Sequence, residues 1–276
     1  MDEAARMSAA APHSFAPPEH VLVRAIAARY ASCLRSDPVE IDVARARSQH
    51  AGYVAAIRAL GIAVSEIDPD DDCPDACFVE DTAVITGRHA VLTRPGAEPR
   101  RAELPAVERA LSRRLQVHRM TAPAMLDGGD VLRVGAHLFV GLSTRTNREG
   151  AAWLAEVARL DGLDVTALPV RGGLHLKSAL SLATDRLLVH APEVSDDLDP
   201  LRAVGLTCLA APEPAGANVL ALGRATLVSA DAPETARALE ARGLTVQRVP
   251  LSEIHKGDGA LTCLSLRLPR AGHWAT

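Results

Sequence analysis

Apolar and polar positions along this chain follow a pattern that recurs about every 40–50 residues. A helix-like stretch ends at a glycine, and a run of branched or apolar residues after it predicts a β-strand. A glycine there can adopt the left-handed conformation that ends a helix. Four segments share the pattern and a fifth, weaker copy has arginine in place of glycine: Gly61–Val64, Gly162–Val165, Gly205–Cys208, Gly243–Val246 and Arg114–Val117.

Two apolar runs separated by a turn usually precede each helical stretch. The predicted strand pairs are Thr82–Thr86 with His89–Arg94, Val131–Val134 with His137–Gly141, Ala179–Ala183 with Leu187–His190, and Asn218–Leu222 with Ala225–Ala230. The predicted helices are Val43–Leu60, Ala102–Arg114, Asn147–Leu160, Pro233–Arg242 and a weaker one at Asp197–Val204. In the first of these, Val54, Ile57 and Leu60 fall on one face, as a period of 3.6 residues requires.

The repeating unit is therefore strand–strand–helix–strand. The first unit has only His20–Ile26 before its helix, and the last segment, Leu261–Leu268, is a strand without a helix. Joining the two ends completes a fifth unit. The sequence predicts an α/β fold, a closed ring of five ββαβ units, with residues 20–276 as one domain after a flexible leader at 1–19. Loops that converge on the axis of such a ring can place distant segments in one site.

Composition narrows the class of protein. The chain of 276 residues is 48% hydrophobic but only 3% aromatic, so its core must consist of Ala, Val and Leu. A net charge of −4 is too balanced for nucleic acid or an anionic membrane surface, and no apolar run approaches the ~20 residues that span a bilayer. The five scattered cysteines favour a reducing, cytoplasmic location over a disulfide framework. The pair Cys73 and Cys77 lacks the partners of a zinc site.

Three segments carry residues suited to nucleophilic catalysis. Cys263 follows two glycines in HKGDGALTCLSLRL, just inside an apolar, strand-like segment, and is either core filling or a nucleophile. His175 lies between two leucines at the start of a predicted strand, and is a packed histidine or an acid/base. Asp127, in LDGGDVL, is part of a turn or orients a base.

Charged residues in other segments could bind a substrate. Asp75, Glu80 and Asp81 precede a predicted strand and form either a solvated loop or a pocket for a guanidinium group. Arg100 and Arg145 lie in loops, where they are surface residues or a clamp for a carboxylate. The sequence lacks phosphate, dinucleotide and catalytic zinc motifs, so we expect no cofactor and no metal.

Seven segments in order resemble the dimethylarginine dimethylaminohydrolases, within the pentein group of guanidino-modifying enzymes. They are IDVARARSQH, PDACFVEDTAV, LTRPGAEPRR, LDGGDVL, FVGLSTRTN, GLHLKSALS and DGALTC, and the resemblance covers nearly the whole chain after residue 20. It implies a five-fold pseudosymmetric α/β propeller, which agrees with the ring predicted from the repeat.

The resemblance also implies a role for each candidate residue. Cys263 would be the nucleophile, His175 the general acid/base and Asp127 its acidic partner. Substrate-binding positions would be Asp75 and Asp81 for the guanidino group, Glu80 beside them, Arg100 and Arg145 for the amino-acid end, and the backbone of Gly257. This sequence departs from the family at Tyr30, in a lid loop that commonly has leucine, and at Gly257, where relatives are often bulkier. Both residues would contact the edge of the substrate, so Tyr30 is a further substrate-binding position.

The reaction implied is hydrolysis of an Nω-methylated L-arginine to L-citrulline and methylamine or dimethylamine, through a covalent thiouronium intermediate on Cys263. We expect a small-molecule substrate as the only partner and a monomer or homodimer. The alternatives are a deiminase or amidinotransferase acting on another guanidine such as free arginine, a non-catalytic protein that binds an arginine derivative, and a metal-binding protein that uses Cys263 and His175. The two arginines favour a substrate with a free carboxylate over agmatine.

Overall fold

The structure, a computed structural model, describes residues 17–170 and 173–268. In chain order its strands are β1 (His20–Arg24), β2 (Ala63–Ile67), β3 (Ala83–Ile85), β4 (His89–Leu92), β5 (Gln116–Arg119), β6 (Val131–Val134), β7 (His137–Leu142), β8 (Asp164–Pro169), β9 (Leu180–Leu182), β10 (Leu187–His190), β11 (Thr207–Ala210), β12 (Leu220–Ala221), β13 (Thr226–Ser229), β14 (Val246–Val249) and β15 (Leu266–Leu268). The α-helices are α1 (Val43–Ala59), α2 (Leu104–Leu111), α3 (Arg148–Ala158), α4 (Leu176–Ala179), α5 (Asp199–Ala203), α6 (Pro233–Glu240) and α7 (Ser252–His255).

These strands form five three-stranded sheets with the same topology. Their orders are β15-β1-β2, β3-β4-β5, β6-β7-β8, β9-β10-β11 and β12-β13-β14. In each sheet the middle strand pairs antiparallel with the first strand and parallel with the third. The last strand of the described chain, β15, joins the sheet of the first, with Leu268 opposite His20. The predicted closed ring of five ββαβ units, and with it the α/β propeller, is confirmed.

The position of each strand in its sheet follows from its sequence. Middle strands such as HVLVR and TLVS have an apolar centre and are buried along their whole length. Third strands such as AVSEI and QVHR alternate with polar residues and are largely exposed edges. The first strands, β3, β6, β9, β12 and β15, which we call the inner strands, all contribute residues to one axial cavity of about 370 Å³.

The glycines of the repeat end helices as predicted. Gly61, Gly162, Gly205 and Gly243 have φ angles of 79°, 73°, 89° and 81°, in the left-handed region. Arg114 is not among the described residues with a positive φ, so the weaker fifth copy ends its helix differently. At the opposite ends, the side chains of Asp42 and Asn147 accept backbone N–H groups of α1 and α3.

The predicted elements differ from the structure mainly in short turns. The stretch predicted as one helix from Ala102 begins as a 3₁₀-helix at Glu98–Glu103, and α4 and α7 were not predicted. His175 therefore precedes a short helix instead of starting a strand. Cys263 lies in the 3₁₀-helix Thr262–Leu264, so its placement inside a strand is wrong. Single turns bury too few residues to leave a periodic pattern.

Most of the predicted leader, residues 1–16, lies outside the described residues, and the division of the chain at residue 20 stays a prediction. Among the helices of the described ranges, none is long and apolar enough to cross a membrane.

Candidate active site

The candidate residues lie at the beginnings of the inner strands. A short helical turn immediately precedes four of these strands: Val79–Thr82 before β3, Gly128–Asp130 before β6, α4 before β9, and Thr262–Leu264 just before β15. These turns hold or directly follow Asp81, Asp127, His175 and Cys263. Because the ring brings the same end of every inner strand to the axis, residues far apart in sequence converge there.

Asp127 and His175 form a buried pair between the third and fourth units. Nε2 of His175 lies 2.9 Å from Oδ2 of Asp127, whose exposed fraction is 0%. Oδ1 of Asp127 accepts the backbone N–H of Gly96 at 2.9 Å. A carboxylate only accepts hydrogen bonds, so Nε2 carries a proton in either charge state of the ring. Nδ1 is therefore the nitrogen that can gain or lose a proton.

Three carboxylates determine the charge of His175. Burial alone would lower its pKa, but the carboxylates of Asp81, Asp127 and Asp130 outweigh burial and raise the pKa to about 9. Nδ1 lies 3.9 Å from Oδ1 of Asp81, too far for a hydrogen bond. The ring is therefore an imidazolium at neutral pH, with Nδ1 able to donate a proton.

Asp81 is held by two donors. Its Oδ1 accepts the N–H of Gly129 at 2.9 Å, and its Oδ2 accepts Nη1 of Arg100 at 2.5 Å. Burial would raise the pKa of Asp81, but His175 and Arg100 outweigh burial and lower it. The carboxylate is consequently fixed in position and stays ionised.

The sequence predicted Arg100 to lie in an open loop, and this prediction is wrong. It belongs to the 3₁₀-helix Glu98–Glu103 and is 5% exposed. Nε and Nη2 each donate to Glu103 at 2.9 Å, and Nη2 also donates to the carbonyl of Phe78. With Nη1 on Asp81, every nitrogen of the guanidinium already has a protein acceptor, so Arg100 supports Asp81 from behind.

The two glycines after Asp127 are required by close approach. A Cβ at Gly128 would lie 2.0 Å from the carbonyl oxygen of Glu80. A Cβ at Gly129 would lie 2.7 Å from both Oδ1 of Asp81 and Nδ1 of His175. The Asp-Gly-Gly sequence thus lets this turn pass directly against the turns of two other units.

Cys263 is a half-buried free thiol. Burial raises its pKa to about 12, and the carboxylates of Glu80 and Asp81 add to this effect. A backbone hydrogen bond from Ala260 and the charge of Lys177 oppose the shift. At neutral pH the resting residue is a thiol, so a nucleophilic role requires a further positive charge beside it.

Glu80 faces protein cations. Its Oε1 accepts Nζ of Lys177 at 2.6 Å and Nη2 of Arg267 at 2.5 Å. Burial would raise the pKa of Glu80, but these two cations outweigh burial and lower it. The structure therefore places Glu80 in a buried ion cluster beside Asp81, and its second oxygen has no hydrogen-bond partner among the described residues.

Asp75 lies close to the same site but holds a loop. Both of its carboxylate oxygens accept the N–H of Leu34, at 3.0 and 3.2 Å. Burial raises the pKa of Asp75, and Arg100 opposes the rise. Leu34 follows the predicted lid, so Asp75 ties this loop to the beginning of the second unit.

Tyr30 lies in the core and not at an exposed lid edge. Its side chain is 0% exposed, and its ring meets Phe78 edge-on at 5.9 Å between centroids. The hydroxyl donates weakly to the carbonyls of Glu253 and Ile254, both at 3.4 Å. A Cβ at Gly257 would lie 2.5 Å from this hydroxyl. The large residue at 30 therefore occupies the space that a side chain at 257 would need.

Arg145 is the predicted arginine whose guanidinium is partly exposed. Nη1 lies 3.9 Å from Oδ2 of Asp127, and the side chain is 20% exposed. Its backbone packs against Gly96, where a Cβ would lie 2.6 Å from the Cα of Arg145. The guanidinium is therefore near the Asp127–His175 pair and accessible to a ligand.

Asp81, Asp127 and His175 each offer one possible metal-ligand atom within 4.8 Å of the others. The oxygens of both carboxylates already accept N–H groups, and Arg100 places a permanent positive charge on Asp81. This donor set fits proton transfer better than a divalent cation.

Several residues that organise the site were not singled out in the sequence. Asp130 accepts Leu176 N–H and the hydroxyls of Ser143 and Thr146. The others are Glu103, Lys177, Arg267 and Asn218. Asp130 and Lys177 lie three and two residues after Asp127 and His175, and that proximity was the only signal for them.

Comparison with known proteins is consistent with this geometry. The family profile described as eukaryotic N,N-dimethylarginine dimethylhydrolase matches residues 17–203. The N(G),N(G)-dimethylarginine dimethylaminohydrolase of Streptomyces coelicolor is 39% identical over 91% of this chain and 98% of its own length. The structure of a cysteine-to-serine variant of the Pseudomonas aeruginosa enzyme, complexed with citrulline, is 31% identical, with a TM-score of 0.86 over 91% of this chain and all of that one. This chain belongs to the dimethylarginine dimethylaminohydrolase family.

Proposed function

We propose that this chain hydrolyses Nω-methylated L-arginine to L-citrulline and methylamine or dimethylamine. The observation that carries the proposal is the buried Asp127–His175 pair, whose Nδ1 faces the carboxylate of Asp81 beside the turn that holds Cys263. A guanidinium needs a carboxylate, a nucleophile and an acid for its leaving amine, and these groups supply all three.

Substrate binding is assigned to the carboxylate next to Nδ1 of His175 and to the partly exposed guanidinium of Arg145. Asp81, with Asp75 beside it, is the proposed partner of the substrate guanidinium, and Arg145 the partner of its carboxylate. Glu80 and Arg100 act on the substrate indirectly, because their charged groups are already paired with protein side chains.

In the first half of the reaction, the thiolate of Cys263 attacks the central guanidino carbon. The cationic substrate offsets the negative field of Asp81 and lowers the pKa of the thiol, so binding itself favours the reactive form. Nδ1 of His175 gives its proton to the alkylated nitrogen as the carbon–nitrogen bond breaks. The amine leaves, and the carbon stays attached to sulfur as a thiouronium.

In the second half, Nδ1 of the now neutral His175 removes a proton from a water molecule as the water oxygen attacks the thiouronium carbon. The carbon–sulfur bond breaks, L-citrulline is released and the thiolate regains a proton. Asp127 holds the ring in one orientation through both halves and stabilises its positive charge. The reaction needs no cofactor.

The test is incubation of the purified chain with asymmetric dimethylarginine, monomethylarginine, arginine and agmatine. We expect citrulline and the matching amine from the methylated arginines, at least tenfold faster than ammonia from arginine. Preference for arginine would make the chain a deiminase, and no turnover of any of the four guanidines would refute the hydrolase function.

The nucleophile is tested by Cys263→Ser. We expect kcat to fall at least about 10³-fold with the fold intact, because a serine hydroxyl is far less acidic than a thiol. Rapid quenching of the wild type should trap a protein adduct whose added mass is that of the substrate less the departed amine, and therefore the same for dimethyl- and monomethylarginine. Unchanged activity of the variant would remove Cys263 from the mechanism.

Tyr30 and Gly257 are proposed to influence substrate choice through the packing of the loop that Asp75 holds. Tyr30→Leu should change the ratio of kcat/KM between dimethyl- and monomethylarginine, while Gly257→Ala should destabilise the fold by crowding the Tyr30 hydroxyl. An unchanged ratio would show that Tyr30 is only a core residue.

We also propose a cytoplasmic location, supported by five cysteines that are all free thiols, and a monomer or homodimer. Localisation of a tagged chain and sedimentation velocity test these two proposals.

A further inference from the structure

The fifth unit also places a polar residue at the beginning of its inner strand. Asn218 lies two residues before β12 and is 5% exposed. The other four inner strands begin beside Asp81, Asp127, His175 and Cys263. Asn218 is uncharged and absent from the proposed chemistry, so its burial at this position needs another explanation.

Asn218 joins the two turns that precede β9 and β15. Nδ2 of Asn218 donates to the carbonyl of Lys177 at 2.8 Å and to Oγ1 of Thr262 at 2.9 Å. Its Oδ1 accepts the backbone N–H of Thr262 at 3.1 Å. Lys177 follows His175 by two residues, and Thr262 immediately precedes Cys263. One side chain therefore joins the turn that follows His175 to the turn that holds Cys263.

The two backbone groups explain why this residue is asparagine. The Lys177 carbonyl can only accept and the Thr262 N–H can only donate, so the bridging side chain must offer a donor and an acceptor at fixed spacing. These partners also determine which end of the amide is nitrogen. Leucine has a similar volume but would leave both buried backbone groups without a partner.

A closed network extends from Asn218 to residues of three other units. Nη1 of Arg267 donates to the carbonyl of Thr262 at 3.2 Å, while Nη2 of Arg267 and Nζ of Lys177 share Oε1 of Glu80. Thr262 and Lys177 are thus held from both sides, by Asn218 on one and by the Glu80 ion cluster on the other. Four of these five residues, all except Asn218, also line the axial cavity.

We propose that Asn218 is a positioning residue, which sets the separation between Cys263 and Nδ1 of His175 without touching the substrate. The inference rests on the proposed hydrolase function. A displacement of about 1 Å between reacting groups costs on the order of 10² in rate, so one bridging amide has a large effect on kcat. Substrate affinity depends on other residues, namely Asp75, Asp81 and Arg145.

The test is Asn218→Leu, with kcat and KM for asymmetric dimethylarginine measured separately. We expect kcat to fall at least about 30-fold and KM to change less than threefold. Alkylation of Cys263 by iodoacetamide at fixed pH should change less than threefold, because the thiol keeps its own neighbours. The loss of kcat would then come from a changed position of the Cys263 thiol relative to the His175 imidazole.

Thr226→Val is the matched control. Oγ1 of Thr226 donates to the carbonyl of Ala183 at 2.9 Å and so joins the fourth and fifth units, as the Asn218–Lys177 hydrogen bond does, but away from the candidate site. This variant also loses a buried interunit hydrogen bond with little change in volume. We expect a lower melting temperature with kcat within twofold of the wild type.

Three outcomes overturn the inference: Asn218→Leu with kcat within threefold of the wild type, a rise in KM alone, or an equal loss of kcat in Thr226→Val at the same loss of melting temperature. If Asn218→Leu does not fold, Asn218→Ala is measured in its place. Water can replace the amide in that variant, so the expected fall in kcat is about tenfold, and the same three outcomes overturn the inference. Absence of turnover in the wild type would instead refute the hydrolase function.

Discussion

Asp127 and His175 lie 2.9 Å apart in the candidate site, and Asp161 and His89 lie 3.0 Å apart between the second and third units. Both pairs are largely buried, and the backbone of a glycine packs closely against each. A Cβ at Gly87 would lie 2.7 Å from Cγ of Asp161, just as one at Gly129 would lie 2.7 Å from Nδ1 of His175. Distance and packing alone do not distinguish them.

The charges around each pair do. His175 has two further carboxylates nearby, Asp81 and Asp130, which help to raise its pKa to about 9. Asp161 uses its oxygens on the Thr86 hydroxyl and on the backbone N–H groups of Arg88 and His89, and it fixes the turn between β3 and β4. The pair proposed as the acid/base gathers charge from three units, whereas Asp161 mainly holds one turn.

The largest expected difference between the pairs is in kcat. Asp127→Asn should lower kcat about 10³-fold, because the ring loses the partner that holds its tautomer and stabilises its charge. Asp161→Asn should leave kcat within twofold of the wild type. It should lower the free energy of unfolding by about 1–3 kcal/mol, because hydrogen bonds to the carboxylate are lost. Steady-state kinetics and urea unfolding of both variants measure this. Equal losses of kcat would remove the distinction.

The next largest difference is expected when an added methyl group crowds each pair. Gly129→Ala pushes a methyl group between Asp81 and His175, and we expect kcat to fall about 10²-fold. Gly87→Ala crowds Asp161 to the same degree and should reduce only stability. A crystal structure of each variant would show which side chain moved. A fully active Gly129→Ala variant would mean that Nδ1 of His175 is not the proton donor.

The pH dependence of kcat/KM tests the charge of His175. The proposed reaction requires the Cys263 thiolate together with the His175 imidazolium. Below both pKa values the thiolate fraction rises tenfold per pH unit, and above about 9 the loss of imidazolium cancels that gain. We therefore expect kcat/KM to rise about tenfold per unit from pH 6 and to level near pH 9.

Asp161→Asn should keep this profile, whereas Asp127→Asn should level at a lower pH because a charge that raises the pKa of His175 is gone. A profile that is flat from pH 6 to 9 would contradict the assigned protonation states. Alkylation of Cys263 needs only the thiolate, so its rate should keep rising above pH 9.

The smallest effect is expected at Gly162, directly after Asp161. Its φ is 73° and a Cβ there would meet nothing within 4 Å. Gly162→Ala should therefore lower the free energy of unfolding by about 1 kcal/mol through backbone strain alone. Chemical denaturation measures the loss, and kcat should not change. A large loss of activity would mean that the second pair communicates with the site.

Much of the fold could be predicted because its signals are local. Four glycines end helices by their own conformational preference, namely Gly61, Gly162, Gly205 and Gly243. The apolar runs beside them predict strands from their own sequence pattern. The ring closure followed from counting strands at the two ends. The single turns before the inner strands were not predicted, since three or four residues carry no periodicity.

The site was predicted as a set of residues but not as an arrangement. Motifs pointed to Cys263, His175 and Asp127, which the structure brings to neighbouring turns. They did not reveal that Arg100 and Glu80 are already paired with other protein side chains, that Tyr30 is fully buried, or that Asn218 joins two turns. Each of those facts depends on partners from another unit.

By itself the sequence determined the repeat, the order of strands and helices and the chemical groups available, because each depends on neighbours within a few residues. Tertiary structure alone decided which carboxylate holds which cation, which histidine gains a raised pKa and how far Cys263 lies from His175. Those properties arise where five segments about 40–50 residues apart meet, and burial there makes every hydrogen-bond partner and nearby charge count.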